Sequence, residues 1–140
     1  RPTLTADSID QHHCAEVLAS TRTYHRVFER LARLHAGLFD VQVVPNGEQA
    51  LVSLVTRPVD LVITDLYMPV MDGLRLVERL RSDPATHALP ILMVSCGGEE
   101  ERRLAAAAGV DAFHEKPVRL SHLFDTIAHL HRLSGALALK

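Results

Sequence analysis

The stretch VDLVITD at residues 59–65 decides the fold class, because it is a short apolar run that ends on a carboxylate. A nearly continuous apolar strand is typical of a parallel sheet that is covered by helices on both faces. We therefore predict a buried strand over Val59–Thr64, with Asp65 at its end. Four further short runs along the chain predict the other strands: Ala15–Ala19, Val41–Val44, Ile91–Val94 and Val110–His114.

Amphipathic segments separate the predicted strands. Apolar residues recur in them at helical spacing, and Asn46 is a candidate N-cap of the second helix. The residues that mark the five helices are Tyr24, Val27, Phe28, Leu31 and Leu34; Ala50, Leu51, Leu54 and Val55; Leu74, Val77 and Leu80; Glu99–Ala108; and Leu123, Phe124, Ile127, Leu130 and Leu133. This alternation predicts an α/β fold, a doubly wound five-stranded parallel sheet with helices on both faces.

Composition and charge narrow the function classes. The 140 residues suffice for one domain, and 15 basic against 17 acidic side chains give a net charge of -2. That balance argues against a protein that binds nucleic acid or an anionic membrane surface, because such proteins carry an excess of basic residues. No apolar run approaches the ~20 residues that span a bilayer. Cys14 and Cys96 form no CxxC motif, which predicts free thiols in a reducing, cytoplasmic compartment.

The two ends of the chain fit neither the strand nor the helix pattern. Residues 1–13 are predicted as linker or tail, residues 14–133 as the domain, and residues 134–140 as a second tail. A first residue Arg1 in place of Met suggests a segment of a longer protein. The run His12-His13-Cys14 could bind a soft metal ion, but a position so near the terminus favours a structural role.

Polar residues follow the predicted strands where each one ends. In a parallel sheet these ends share one edge, and ligands bind there. The side chains concerned are distant in sequence, yet we expect them to meet in space. They are Ala19-Ser20, Asp65, Ser95 and Lys116.

These residues resemble the receiver domains of bacterial response regulators. The run DLYMPVMDG at residues 65–73 is similar to the phosphoacceptor segment of that family. The resemblance extends over residues 15–133 and implies the flavodoxin-like strand order 2-1-3-4-5. The other matching positions are Asn46-Gly47, Ser95, Phe113 and Lys116-Pro117.

The resemblance implies a role for each matched residue. Asp65 would accept a phosphoryl group, while Lys116 and the hydroxyl of Ser95 would contact its oxygens. Ser95 and Phe113 would form the conformational switch, and Pro117 would follow a cis peptide bond. Such a domain relays a signal in a two-component pathway. It is no enzyme beyond self-catalysed aspartyl phosphorylation and dephosphorylation.

The resemblance also implies partners. Upstream we expect a histidine kinase or a phosphotransfer domain, which could belong to the same chain. Downstream we expect the face of the fourth helix, fifth strand and fifth helix to bind an output partner or a second copy, without contacts to nucleic acid or membrane. That face carries Arg102, Arg103, His122, His129 and the small residues Ala105–Ala108.

The first strand departs from the family pattern. Receivers end it with two adjacent carboxylates that hold Mg²⁺ together with the acceptor, and Ala19 and Ser20 stand at those positions here. Asp65 and the backbone carbonyl of Tyr67 remain as metal ligands, so Mg²⁺ binding is predicted to be weak or absent. Arg22 or Lys116 is predicted to pair with Asp65 where the metal would sit.

Two hypotheses follow from this departure. In the first, the domain is a phospho-accepting switch with a weakened metal site. In the second, it is a pseudo-receiver that acts as a phosphorylation-independent interaction or ligand-sensing module.

Overall fold

The computed structural model describes residues 15–21 and 23–138, with side chains up to residue 132. Within this part of the chain, strands and helices alternate as the sequence predicts. In chain order the elements are β1 Ala15–Ser20, α1 His25–Leu34, β2 Phe39–Val44, α2 Gly47–Thr56, β3 Leu61–Asp65, α3 Gly73–Ser82, β4 Ile91–Ser95, α4 Glu99–Ala108, β5 Ala112–Glu115 and α5 Leu120–Ala138.

The sheet has five parallel strands in the order β2-β1-β3-β4-β5, which confirms the predicted fold class and strand order. Strand β3 lies at the centre, and all five of its residues are buried. One face of the sheet packs on α1 and α5 through Phe28, Leu31 and Ile127. The other face packs on α2, α3 and α4 through a second apolar cluster. Coverage of both faces explains why the β3 sequence is continuously apolar.

Two strands begin later than predicted, at Leu61 instead of Val59 and at Ala112 instead of Val110. An aspartate precedes each start, and its carboxylate replaces a backbone carbonyl as the acceptor for an N–H group of the neighbouring strand. The carboxylate of Asp60 accepts a hydrogen bond from the backbone N–H of Glu16 at 2.7 Å. Asp111 does the same for the N–H of Ile91 at 2.8 Å. Because the side chain satisfies the first backbone N–H group of the neighbouring strand, no backbone carbonyl is needed there and the strand begins later.

Two other bounds also differ from the predictions. Strand β2 begins at Phe39, two residues before Val41, because Phe39 is buried and pairs with Ala15. Helix α5 continues to Ala138, so residues 134–138, predicted as tail, extend the helix. The predicted tail over residues 1–13 and the run His12-His13-Cys14 lie outside the described residues. In the described part of the chain, no helix combines the length and the apolar character required to cross a bilayer.

Candidate functional site

Three of the predicted site residues meet at the carboxyl edge of the sheet. Asp65 ends β3, Ser95 ends β4, and Lys116 directly follows β5. The ammonium nitrogen of Lys116 lies 2.7 Å from Asp65 Oδ1, so the predicted ion pair of these two residues is present. The backbone N–H of Lys116 donates to the carbonyl of Ser95 at 2.8 Å. The alternative pairing through Arg22 lies outside the described residues.

The ion pair is well shielded from solvent. The side chain of Asp65 is 4% exposed and that of Lys116 is 10% exposed. Their charges cancel, which offsets the cost of burying each one. The peptide bond between Lys116 and Pro117 is cis, as the resemblance implies.

The hydroxyl of Thr21, which sequence reasoning missed, contacts the same carboxylate. It donates to Asp65 Oδ2 at 2.7 Å and is buried. The hydroxyl oxygen also accepts hydrogen bonds from the backbone N–H groups of Tyr24 at 2.9 Å and Thr23 at 3.3 Å. A threonine often accepts from backbone N–H groups two or three residues ahead of it in a turn, and this local signal could have pointed to Thr21.

Thr23 and Tyr24, in the same loop, contact Lys116. Its ammonium group donates to the hydroxyl of Thr23 at 3.1 Å. The same nitrogen lies 4.3 Å from the centre of the Tyr24 ring, in a cation–π contact. Sequence reasoning gave neither contact, because Thr23 and Lys116 are 93 residues apart along the chain.

Ser95 and Phe113 occupy the predicted switch positions. The hydroxyl oxygen of Ser95 is buried and accepts a hydrogen bond from the N–H of Gly97 at 3.2 Å. Phe113 is half-buried and packs against the apolar cluster beneath α3 and α4. The guanidinium carbon of Arg102 lies 4.9 Å from the centre of the Phe113 ring. Helix α4 therefore contacts the aromatic residue directly.

The loop after Asp65 is held by backbone hydrogen bonds. Gly73 donates to the carbonyl of Leu66 at 2.7 Å, and Gly47 donates to the carbonyl of Met71 at 3.2 Å. Asn46 caps α2 by accepting from the N–H of Gln49 at 2.9 Å, which confirms its predicted role. The Asn46-Gly47 turn thus contacts the loop that carries the candidate phosphoacceptor.

Tyr67 joins this loop to α4. Its phenol donates to Glu101 Oε2 at 3.0 Å, and Glu101 Oε1 accepts from the N–H of Gly98 at 3.0 Å. The hydrogen bond to Glu101 raises the pKa of Tyr67. The pKa of Glu101 is lowered, first by a hydrogen bond from its own backbone N–H and then by the Tyr67 phenol.

Val70, in the same loop, has a positive φ of 67°. This left-handed conformation costs a β-branched residue about 1–2 kcal/mol. Because the side chain is 76% exposed, little packing offsets that cost. We expect Val70→Asn to raise the free energy of unfolding by about 1 kcal/mol in urea titration, since asparagine tolerates this region. Val55→Asn is the matched control, because Val55 is 84% exposed and lies in α2 with helical backbone. An equal gain in both variants would contradict the strain argument.

The side chains at the end of β1 do not fit the magnesium site that the resemblance implies. Ala19 offers no ligand atom, and the buried Ser20 hydroxyl donates to Met68 Sδ at 3.1 Å. Thr21 uses its proton on Asp65 and its lone pairs on two N–H groups. Over the residues that the structure covers, no group of three or more His, Cys, Asp or Glu could hold a metal ion.

The predicted partner face is only in part as expected. Arg102, Arg103, His122 and His129 are exposed on it. Ala105, however, is fully buried in the core under α4, because helical geometry turns one alanine of the stretch inward.

Comparison with known proteins supports the fold and identifies the family. The family described as the response regulator receiver domain matches residues 21–128. The phosphate regulon transcriptional regulatory protein PhoB of Rhizobium meliloti is 35% identical over 100 residues, which are 71% of this chain and 44% of PhoB. The response regulator PleD of Caulobacter vibrioides is 28% identical over 102 residues, 72% of this chain and 22% of PleD. The chain thus spans less than half the length of these curated relatives.

Two solved structures share the whole architecture. The signal receiver domain of a signal transduction histidine kinase from Syntrophus aciditrophicus aligns with a TM-score of 0.75 and 25% identity, covering 84% of this chain and 90% of that one. The chemotaxis response regulator CheY4 of Vibrio cholerae also gives a TM-score of 0.75 and 25% identity, with 84% and 99% covered. The chain therefore belongs to the response regulator receiver domain family.

Proposed function

We propose that this receiver domain of a two-component system accepts a phosphoryl group on Asp65. The observation that carries the proposal is the Lys116 ammonium 2.7 Å from the buried Asp65 carboxylate, at the sheet edge that Ser95 shares. Receiver domains interact with histidine kinases or phosphotransfer partners. The donor we propose here is therefore a phosphohistidine of such a partner, which could lie in the same chain.

The transfer needs a nucleophile and charge neutralisation. An Asp65 oxygen attacks phosphorus while the P–N bond of phosphohistidine breaks and the imidazole leaves with that electron pair. Lys116 offsets the negative charge that gathers as the phosphoryl group approaches. The Ser95 hydroxyl then donates to a phosphoryl oxygen, and its movement changes the packing around Phe113 and Arg102 on α4.

Receiver domains typically bind Mg²⁺. We propose that this one binds it weakly, because hydroxyl and methyl groups stand where two carboxylates are usual. Mg²⁺ gives up its hydration water reluctantly and favours carboxylate ligands. The chain's own groups, Lys116 above all, then supply most of the neutralisation at Asp65.

The same reasoning gives the remaining features of the proposal. The domain acts in the cytoplasm as a signalling module, with no catalysis beyond its own aspartyl phosphorylation and dephosphorylation. The face of α4, β5 and α5 binds the output partner or a second copy, and it makes no contact with nucleic acid. Burial lowers the pKa of His114 on this face, with the charges of His122 and Arg102 adding to the effect.

Incubation with acetyl phosphate, followed by intact-mass measurement, tests the proposal. We expect one phosphoryl adduct that is absent from Asp65→Asn, and a rate that changes little between EDTA and millimolar Mg²⁺. Thr21→Asp, which places a carboxylate beside Asp65, is expected to restore Mg²⁺ dependence. No adduct in either condition would overturn the proposal in favour of a phosphorylation-independent interaction or ligand-sensing module.

A further inference from the structure

We propose that Thr21, Thr23 and Tyr24, in the loop between β1 and α1, are positioning residues that hold the Asp65–Lys116 ion pair in place of a metal ion. This inference rests on the proposed function and extends it to residues outside the family motif. Each of the three contacts one member of the ion pair directly. A short segment of chain therefore determines the relative position of two side chains from different strands.

Thr21 fixes the carboxylate. Its hydroxyl oxygen accepts from two backbone N–H groups, so both lone pairs are committed and its proton is directed at Asp65 Oδ2. The other carboxylate oxygen, Oδ1, is buried and lies 2.7 Å from the Lys116 ammonium, the group that neutralises the incoming phosphoryl charge. Thr21 thereby fixes the orientation of the carboxylate beside its cation.

Thr23 and Tyr24 fix the ammonium group. Lys116 Nζ lies 2.7 Å from Asp65 Oδ1 in the ion pair and donates to Thr23 Oγ1 at 3.1 Å. Tyr24 covers a further side of the same nitrogen with its ring at 4.3 Å. The Tyr24 ring in turn packs edge-on against Phe28 of the core, with centroids 6.4 Å apart. The flexible side chain of Lys116 is thus held by Tyr24, which itself packs on the buried Phe28 of α1.

A purely structural role for Thr21 would be to hold the turn ahead of α1 through the N–H groups of Thr23 and Tyr24, and one substitution separates the two roles. Thr21→Asp keeps an oxygen that accepts from these N–H groups, so the turn persists. Its carboxylate cannot donate a proton to Asp65 and adds a like charge beside it. Thr21→Ser preserves both functions. Both variants are assayed with acetyl phosphate in EDTA, so that a metal ion recruited by the new carboxylate does not contribute.

We expect Thr21→Asp to lose about tenfold or more of the adduct-formation rate, since small misplacements of reacting groups cost factors of this size. Thr21→Ser is expected to restore most of the wild-type rate. A Thr21→Asp variant that forms the adduct at the wild-type rate in EDTA would overturn the role of Thr21.

The lysine contacts are tested without phosphorylation. The chain has two lysines, Lys116 and Lys140, so ¹⁵N-lysine labelling gives two side-chain signals, which Lys140→Arg assigns. We expect the Lys116 ammonium protons to be shifted upfield by the Tyr24 ring, to lose that shift in Tyr24→Leu, and to keep it in Tyr24→Phe. Thr23→Val should accelerate their exchange with water.

The two proposals fail in different ways. A wild-type protein without an adduct refutes phosphotransfer to Asp65, while the lysine spectra still report on the positioning contacts. Lysine spectra that are unchanged in Tyr24→Leu and Thr23→Val refute the positioning role of these residues, whether or not the adduct forms.

Discussion

Replacing Gly73 by alanine is expected to destabilise this receiver domain by about 3 kcal/mol or more, because the new methyl group overlaps with backbone atoms. A Cβ at this position would contact the carbonyl oxygen of Asp65 and lie 2.9 Å from the Asp65 carbonyl carbon and 3.0 Å from Leu66 Cα. No side-chain rotation can relieve an overlap with backbone. The chain must instead move apart where β3 ends, which also displaces the candidate phosphoacceptor.

Urea unfolding followed by circular dichroism measures the loss, and Gly98→Ala is the matched control. A Cβ at Gly98 meets nothing within 4 Å, so the control should cost less than about 1 kcal/mol. The Gly73 variant should also form the acetyl phosphate adduct more slowly for its remaining folded fraction. A loss as small as that of the control would mean that the loop between Leu66 and Gly73 adjusts without strain.

The fold and the central part of the site were predictable because they follow from short-range patterns. Apolar runs such as Ile91–Val94 identify buried strands, and parallel topology then brings every strand end to one edge. The proximity of Asp65 and Lys116 follows from topology, with the carboxylate ending β3 and the lysine following β5. The cap at Asn46 was predictable for a similar reason, since the accepting side chain and the N–H of Gln49 that donates to it are three residues apart.

The remaining contacts depend on distances that no local pattern encodes. The approach of Thr23 and Tyr24 to Lys116 is set by how α1 packs on the sheet. Arg81 is a second example, since its guanidinium group donates to the carbonyls of Leu89 at 2.7 Å and Gly109 at 2.9 Å and pairs with Asp111. Neither set has a sequence signature, because the partners come from different strand–helix units. The strand starts at Leu61 and Ala112 were missed because aspartate carboxylates, in place of backbone carbonyls, accept from the N–H groups of Glu16 and Ile91.

Replacing Lys116 by methionine is expected to cost about 3 kcal/mol of unfolding free energy, because it removes the cation from a buried ion pair. The carboxylate of Asp65 is 4% exposed and would keep the Thr21 hydrogen bond but lose the ammonium 2.7 Å away. Methionine has nearly the length of lysine, so it fills the space beside Tyr24. The loss therefore reports on charge rather than on packing.

The double variant Lys116→Met with Asp65→Asn provides the test, because it removes both charges at once. Replacing a buried ion pair by neutral groups of similar volume is often close to neutral in free energy, so we expect the double variant to recover most of the stability lost in Lys116→Met. Unfolding titrations of the wild type, both single variants and the double variant give the coupling between the two positions. The titrations contain no phosphodonor, so the cycle measures the ion pair without any contribution from phosphorylation. Additive losses would show that solvent screens the ion pair. The contacts of Thr23 and Tyr24 with Lys116 would then contribute little to holding it.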